Sequence, residues 1–182
     1  MIEYIIIAIV VILILVFVYY YNRLNVLSNI IDNSWAQIDV QLKKRTDLVP
    51  NLVETVKGYA AHEKSIFENV ANARAKMMSA QTVEEKDQAG NMLSKTLKSL
   101  FAIAENYPEL KASQNFLMLQ EELSGIENKI AYARQHYNDT VLQFDNLVTT
   151  LPGSLFAGIL GKKVRPYLEI TPTEREVVKV KF

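Results

Sequence analysis

The chain has 182 residues, with twenty Lys and Arg set against twenty Asp and Glu. Zero net charge excludes a nucleic-acid binder that works through a basic face, and zero cysteines exclude disulfides, thiol catalysis, cysteine-ligated zinc and cysteine-linked lipid anchors. With 49% apolar residues, six Gly and five Pro, the composition suits a packed core rather than a disordered chain.

From Tyr4 to Tyr21 every residue is apolar or aromatic, YIIIAIVVILILVFVYYY. At ~1.5 Å rise per residue the run spans most or all of a ~30 Å hydrocarbon core. Its β-branched residues favour a strand in water, but in lipid the backbone must satisfy its own hydrogen bonds, and helix wins. Tyr4 at one end and Tyr19, Tyr20 and Tyr21 at the other place phenolic rings at the two headgroup boundaries. A cleaved signal peptide needs a basic leader and a small-residue cleavage site. Glu3 is the only charge before the run and no Ala-x-Ala follows it, so residues 1–22 are expected to form a permanent transmembrane anchor. Arg23, Lys43, Lys44 and Arg45 follow the run. The excess of cations on that side predicts an N-terminus outside the cell membrane and a cytoplasmic body.

Beyond the anchor, Leu24, Leu27, Ile31, Trp35, Ile38, Leu42, Arg45, Val49, Leu52, Val56 and Tyr59 are spaced alternately three and four apart. That is a heptad seam. Pro50 removes one backbone donor inside it and predicts a kink; Gly58 is a natural stop. The pattern resumes at Ile66, Val70, Ala73 and Met77, as a second helix to about Ser79 or as a continuation of the first. Thr82 and Glu85 are spaced as a capping box opening a third helix, which turns Leu93, Leu97, Leu100 and Ala104 inward. Pro108 reads as the first position of a long fourth helix through Phe116, Leu119, Leu123, Ile126, Ile130, Ala133, Tyr137, Phe144 and Leu147, ending at Pro152 and Gly153. The aromatic residues Trp35, Tyr59, Phe67, Phe101, Tyr107, Phe116, Tyr132, Tyr137 and Phe144 are mostly core by spacing. The predicted fold is all-α: an N-terminal transmembrane helix (1–22), an antiparallel up-and-down four-helix bundle (23–150) and an extended apolar and basic C-terminal tail (151–182).

Three stretches carry a family resemblance: IDVQLKKRTDLVPNLVETVKGYAAHE, ENYPELKASQNF and AYARQHYND. They resemble the LemA family of bacterial membrane proteins, and the resemblance reaches the closing PYLE and KVKF. It implies a single N-terminal transmembrane helix followed by a four-helix bundle, and implies no activity. The family's characteristic residues fall on Asp39, Arg45, Asp47, Pro50, Asn51, Gly58, His62 and Glu63, then on Tyr107, Pro108, Lys111, Arg134, Tyr137 and Asn138.

Enzymatic chemistries do not fit the residues. A di-metal bundle needs Glu-x-x-His on two helices, whereas Tyr59 and Ala133 stand three before His62 and His136. GILGKKVR lacks the first glycine and the Ser/Thr of a phosphate loop, and Ser154 is outside any G-x-S-x-G elbow. The chain is therefore expected to be no enzyme and to need neither metal nor cofactor.

Arg45 is the one cation on the seam. A buried cation must be paired, and its partner is expected on another helix, at Glu105, Glu121 or Glu122. Two readings fit: a pair that fixes helix register, or an anion- or partner-binding notch of Arg45, Asp47, Pro50 and Asn51 beside the proline. The tail also admits two readings. Leu155, Phe156, Ile159 and Leu160 either cap the open end of the core or dip into the bilayer surface, with Lys162, Lys163 and Arg165 on anionic headgroups. The final VVKVKF, with Val180 and Phe182, alternates as a strand-adding peptide does.

Together these features predict a membrane-tethered helical docking or organising module. Its expected partners are the lipid bilayer and an unidentified protein, with self-association open and nucleic acid excluded. The rival functions are an outward-facing ligand-sensing bundle, a homo-oligomeric membrane-shaping scaffold, and an enzyme at the Arg45 notch.

Overall fold

The computed structural model describes residues 1–169, and every regular element among them is helical: α1 (Ile2–Lys57), α2 (Lys64–Ser79), α3 (Val83–Ala104), α4 (Pro108–Lys111), α5 (Gln114–Thr149) and α6 (Gly153–Ile159). The strand-like VVKVKF lies outside the described residues. Helix α1 is unbroken from the apolar run into the heptad seam, so the expected boundary at residue 22 falls inside one helix. It runs on through Pro50 and stops at Lys57, before Gly58. Helices α1 and α2 are therefore separate, joined by a turn in which the Tyr59 and Ala60 amides both bond to the Val56 carbonyl.

The chain divides into two compact units. In the first, Met1–Ala36 with Arg134–Tyr167, the start of α1 meets the end of α5 and α6. Leu24, Leu27, Ile31, Tyr137, Val141 and Phe144 are its buried seam residues, and the Trp35 and Tyr137 rings meet edge to face at 6.5 Å. Unlike these, the apolar run carries its side chains outward. Residues from Ile5 to Leu15 are largely exposed, Leu13 at 61% and Leu15 at 63%. This is the one helix among the described residues that is long and apolar enough to cross a membrane.

In the second unit, Gln37–Ala133 with the described residues from Leu168 on, one core gathers Val49, Leu52 and Val56 from α1, Val70 and Ala73 from α2, Leu93, Leu97 and Leu100 from α3, Leu110 from α4, and Phe116 and Leu123 from α5. Nearly all are the seam positions read from the sequence. Tyr59 and Tyr132 are exceptions to the expected aromatic core, 44% and 74% exposed. The capping box forms as spaced: the Thr82 hydroxyl accepts from the Glu85 amide at 3.1 Å and the Glu85 carboxylate accepts from the Thr82 amide at 3.2 Å.

The expected fourth helix is corrected. Pro108 opens only the single turn α4, after an extended Tyr107 as the proline demands. The Ala112 amide closes that turn on the Pro108 carbonyl, and the long helix starts afresh when the Leu117 amide bonds to the Ser113 carbonyl. Serine suits such a start because its side-chain oxygen is able to accept from an otherwise unbonded amide of the first turn. Leu110, fully buried, holds the turn in the core. The Tyr107 hydroxyl, which donates to the Glu63 carboxylate at 3.0 Å, ties it to the start of α2.

Candidate functional site

In the second unit, the heptad spacing of α1 puts Arg45 inside, 1% exposed, where a guanidinium needs partners for its donors. Helix α3 makes room with two small residues one turn apart. Arg45 Nη2 donates to the Gly90 carbonyl at 2.9 Å, and Nη1 donates to Ser94 Oγ at 2.5 Å. Nη1 also meets Glu127 Oε2 on α5 at 2.5 Å. Ser94 Oγ donates in turn to the same carboxylate, at 3.0 Å to Oε1, which closes an Arg–Ser–Glu ring. The partner is thus Glu127, and the expected Glu105, Glu121 and Glu122 are corrected. Glu105 pairs with Lys111, while Glu121 and Glu122 line a separate groove with Asn51, Thr55 and Met118.

A cleft of about 240 Å³ opens beside the ring, floored by Leu97, Phe101 and Leu123 and rimmed by Lys98, Gln120 and Asn128. The Glu127 side chain is 30% exposed and that of Arg45 only 2%. An anion entering from solvent meets the carboxylate first. The four residues expected to make a notch are not brought together: Arg45 lines this cleft, Asn51 lines the acidic groove, Pro50 lines a third with Phe67 and Arg74, and Asp47 is exposed. Nearby, the Lys86 ammonium reaches Asp39 at 2.7 Å.

The second region lies in the first unit. After α5, α6 presents two faces. Gly153 and Ala157 are buried, and Phe156 stacks on Tyr20 at 5.0 Å between ring centroids and meets Phe17 edge-on at 5.9 Å. Leu155 and Ile159 point the other way, 61% and 74% exposed, and Leu160 is half-buried. The helix ends in a complete left-handed cap. Gly161 takes φ +64°, its amide bonds to the Gly158 carbonyl at 3.3 Å, and the Lys162 amide bonds to the Ala157 carbonyl at 2.9 Å. Lys163 is exposed and Lys162 partly so. Arg165, expected at headgroups, has its guanidinium 3.2 Å from Ser28 Oγ and 3.6 Å from Asp32, and its amide bonds to Asp145 at 3.0 Å. Of the seven residues expected at the bilayer, Phe156 and Arg165 are thus held by protein.

Sequence reasoning missed Ser94, Glu127 and the buried Asp87, and it named Arg134, also buried, only through the family resemblance. Glu127 does follow Leu123 by four residues and precede Ile130 by three, so spacing places it beside the seam.

Among known proteins, the chain is 23% identical over 178 residues to magnetosome protein MamQ 2 of Paramagnetospirillum magneticum, covering 84% of this chain and 65% of that one. It is 22% identical over 179 residues to magnetosome protein MamQ of Magnetospirillum gryphiswaldense, covering 82% and 66%. Protein LemA of Metamycoplasma hominis is 27% identical over 139 residues, covering 72% and 62%. The chain spans just under two thirds of the length of these curated relatives. The LemA family model matches residues 34–182, taking in the whole Arg45 ring and α6 but not the apolar run. With four fifths of its length so matched, and with all three stretches that carried the resemblance inside the match, the chain belongs to the LemA family.

Proposed function

We propose that this protein is a single-pass membrane protein whose helical body docks or organises partners at the cytoplasmic face of the cell membrane, without catalysis and without a cofactor. One observation carries the tethering: an apolar helix end whose residues 5–15 are left largely exposed among the described residues, continuous with a seam that is buried from Leu24 onward. Leaving those side chains in water forfeits about 25 cal/mol for each Å² of apolar surface, and a bilayer removes that cost.

The body reads as an antiparallel four-helix bundle built from α1, α2, α3 and α5. In support, the pairs Arg23–Gln143 and Ser34–His136 run in opposite numerical order along α1 and α5, as antiparallel neighbours must. The Arg45 ring supports a structural rather than catalytic role, since its cation and anion neutralise each other. A reporter fused after Phe182 tests topology. Activity confined to the cytoplasm is the expected result, whereas activity only outside would favour ligand sensing. Crosslinking in native membranes then identifies the docked protein, and recovery of a species made solely of this chain would point to a self-assembling scaffold.

A further inference from the structure

Helix α6, GSLFAGI, has no charged side chain, and both of its faces are apolar. A helix apolar all round is either enclosed by protein or in contact with lipid. Its Gly153–Ala157 side is enclosed, while Leu155 and Ile159, one turn apart, are open, as is Leu151 just before the helix at 76% exposure. The level of this open face is set by the aromatic stack. Phe156 lies on Tyr20 and against Phe17, the last turns of the apolar run. The first polar residues after the run, Asn22 and Arg23, stand only ~3–5 Å farther along the axis. If the run spans a bilayer, α6 is at its surface.

We propose that α6 is an interfacial foot: Leu151, Leu155 and Ile159 enter the boundary between headgroups and acyl chains of the bilayer that holds the span, and Lys162 and Lys163 bind anionic headgroups. The lipid is favoured over a protein partner because the helix that carries the open apolar face packs through Phe156 on the run itself, and the cations follow it directly. The Gly161 cap turns the chain at that point. Neither lysine is held by a carboxylate among the described residues, whereas Arg165 is already committed to Asp32. The inference rests on the tethered reading, and it adds a second attachment that orients the first unit against the membrane.

The absence of cysteine lets single labels be placed without background. The full chain, carrying a fluorescent nitrobenzoxadiazole label at Leu155→Cys, Ile159→Cys, Ile9→Cys or Ser99→Cys, is reconstituted into vesicles of phosphatidylcholine with or without phosphatidylglycerol. Labels at 155 and 159 are expected to be quenched by nitroxide-bearing acyl chains and shielded several-fold from aqueous iodide relative to the label at 99. Phosphatidylglycerol is expected to strengthen both effects. Lys162→Gln and Lys163→Gln should each lower the docked-to-undocked ratio about fivefold in anionic vesicles and leave it unchanged in neutral ones. Iodide reaching 155 and 159 as freely as 99, with the label at 9 still in lipid, overturns the foot and leaves the tether standing. A label at 9 open to iodide overturns the tether itself, and indifference to anionic lipid overturns the role of the lysines.

Discussion

Replacing Arg45 by methionine strands a carboxylate and a carbonyl that the guanidinium now satisfies, so Arg45→Met is expected to cost about 2–3 kcal/mol in urea unfolding. A fully buried pair would cost more; solvent reaching Glu127 softens the loss. Arg45→Met combined with Glu127→Met should regain most of it, giving a coupling of at least ~1 kcal/mol in a double-mutant cycle. A purely ligand-binding arginine would show neither loss nor rescue. That Arg45 is inside was legible from heptad spacing, because burial follows the seam. Its partner was not legible, because glutamates flank the α5 seam at several heights and only loop lengths decide which height meets Arg45. The small pair Gly90 and Ser94, four apart on α3, was the available clue to where a large side chain fits. The glycines of α6 give a second contrast. A methyl on Gly153 would sit 2.3 Å from the Leu147 carbonyl oxygen, whereas one on Gly158 has nothing within 4 Å. Gly153→Ala is therefore expected to lower the melting temperature. Gly158→Ala should hold or raise it by the helix propensity of alanine, ~0.5–1 kcal/mol.

At the scale of the element, α3 is the helix whose start was written most openly. Thr82 and Glu85 announce a capping box, and Thr82→Ala is expected to cost about 1 kcal/mol. The amides of Gln81 and Thr82 donate to the Glu85 carboxylate and hold its pKa below the usual range. A carboxylate so lowered stabilises the fold above its ordinary titration and loses that contribution as pH falls through the lowered value. The protection of the first-turn amides of α3, measured against their intrinsic exchange rate, should therefore fall as pH drops through that lowered value, and Glu85→Ala should abolish that pH dependence. The start of the long α5 was less legible. A proline at N1 marks where a helix can begin, not how far it continues, and the single-turn α4 depends on Leu110 being drawn into a core that no local pattern displays. The end of α6 shows the opposite case: Gly161 adopts the left-handed conformation that glycine takes without strain, so Gly161→Ala is expected to fray the cap.

For the molecule as a whole, the apolar run and its exposure were readable because eighteen residues without a charge leave few alternatives. The grouping into two compact units was not, since one heptad seam runs through α1 across Ala36 without a change of spacing. One alanine inserted between Tyr21 and Asn22 turns the preceding residues by ~100° relative to the Leu24–Ile31 seam. That insertion is expected to part Tyr20 from Phe156 and to expose a label at position 155 to iodide, while a label at position 9 stays in lipid. The continuity of α1 past Tyr21 thus has a mechanical meaning. With no break between the apolar run and the seam that follows it in the same unit, rotation of the run about the helix axis turns Leu24, Leu27 and Ile31 with it, as through a drive shaft rather than a string.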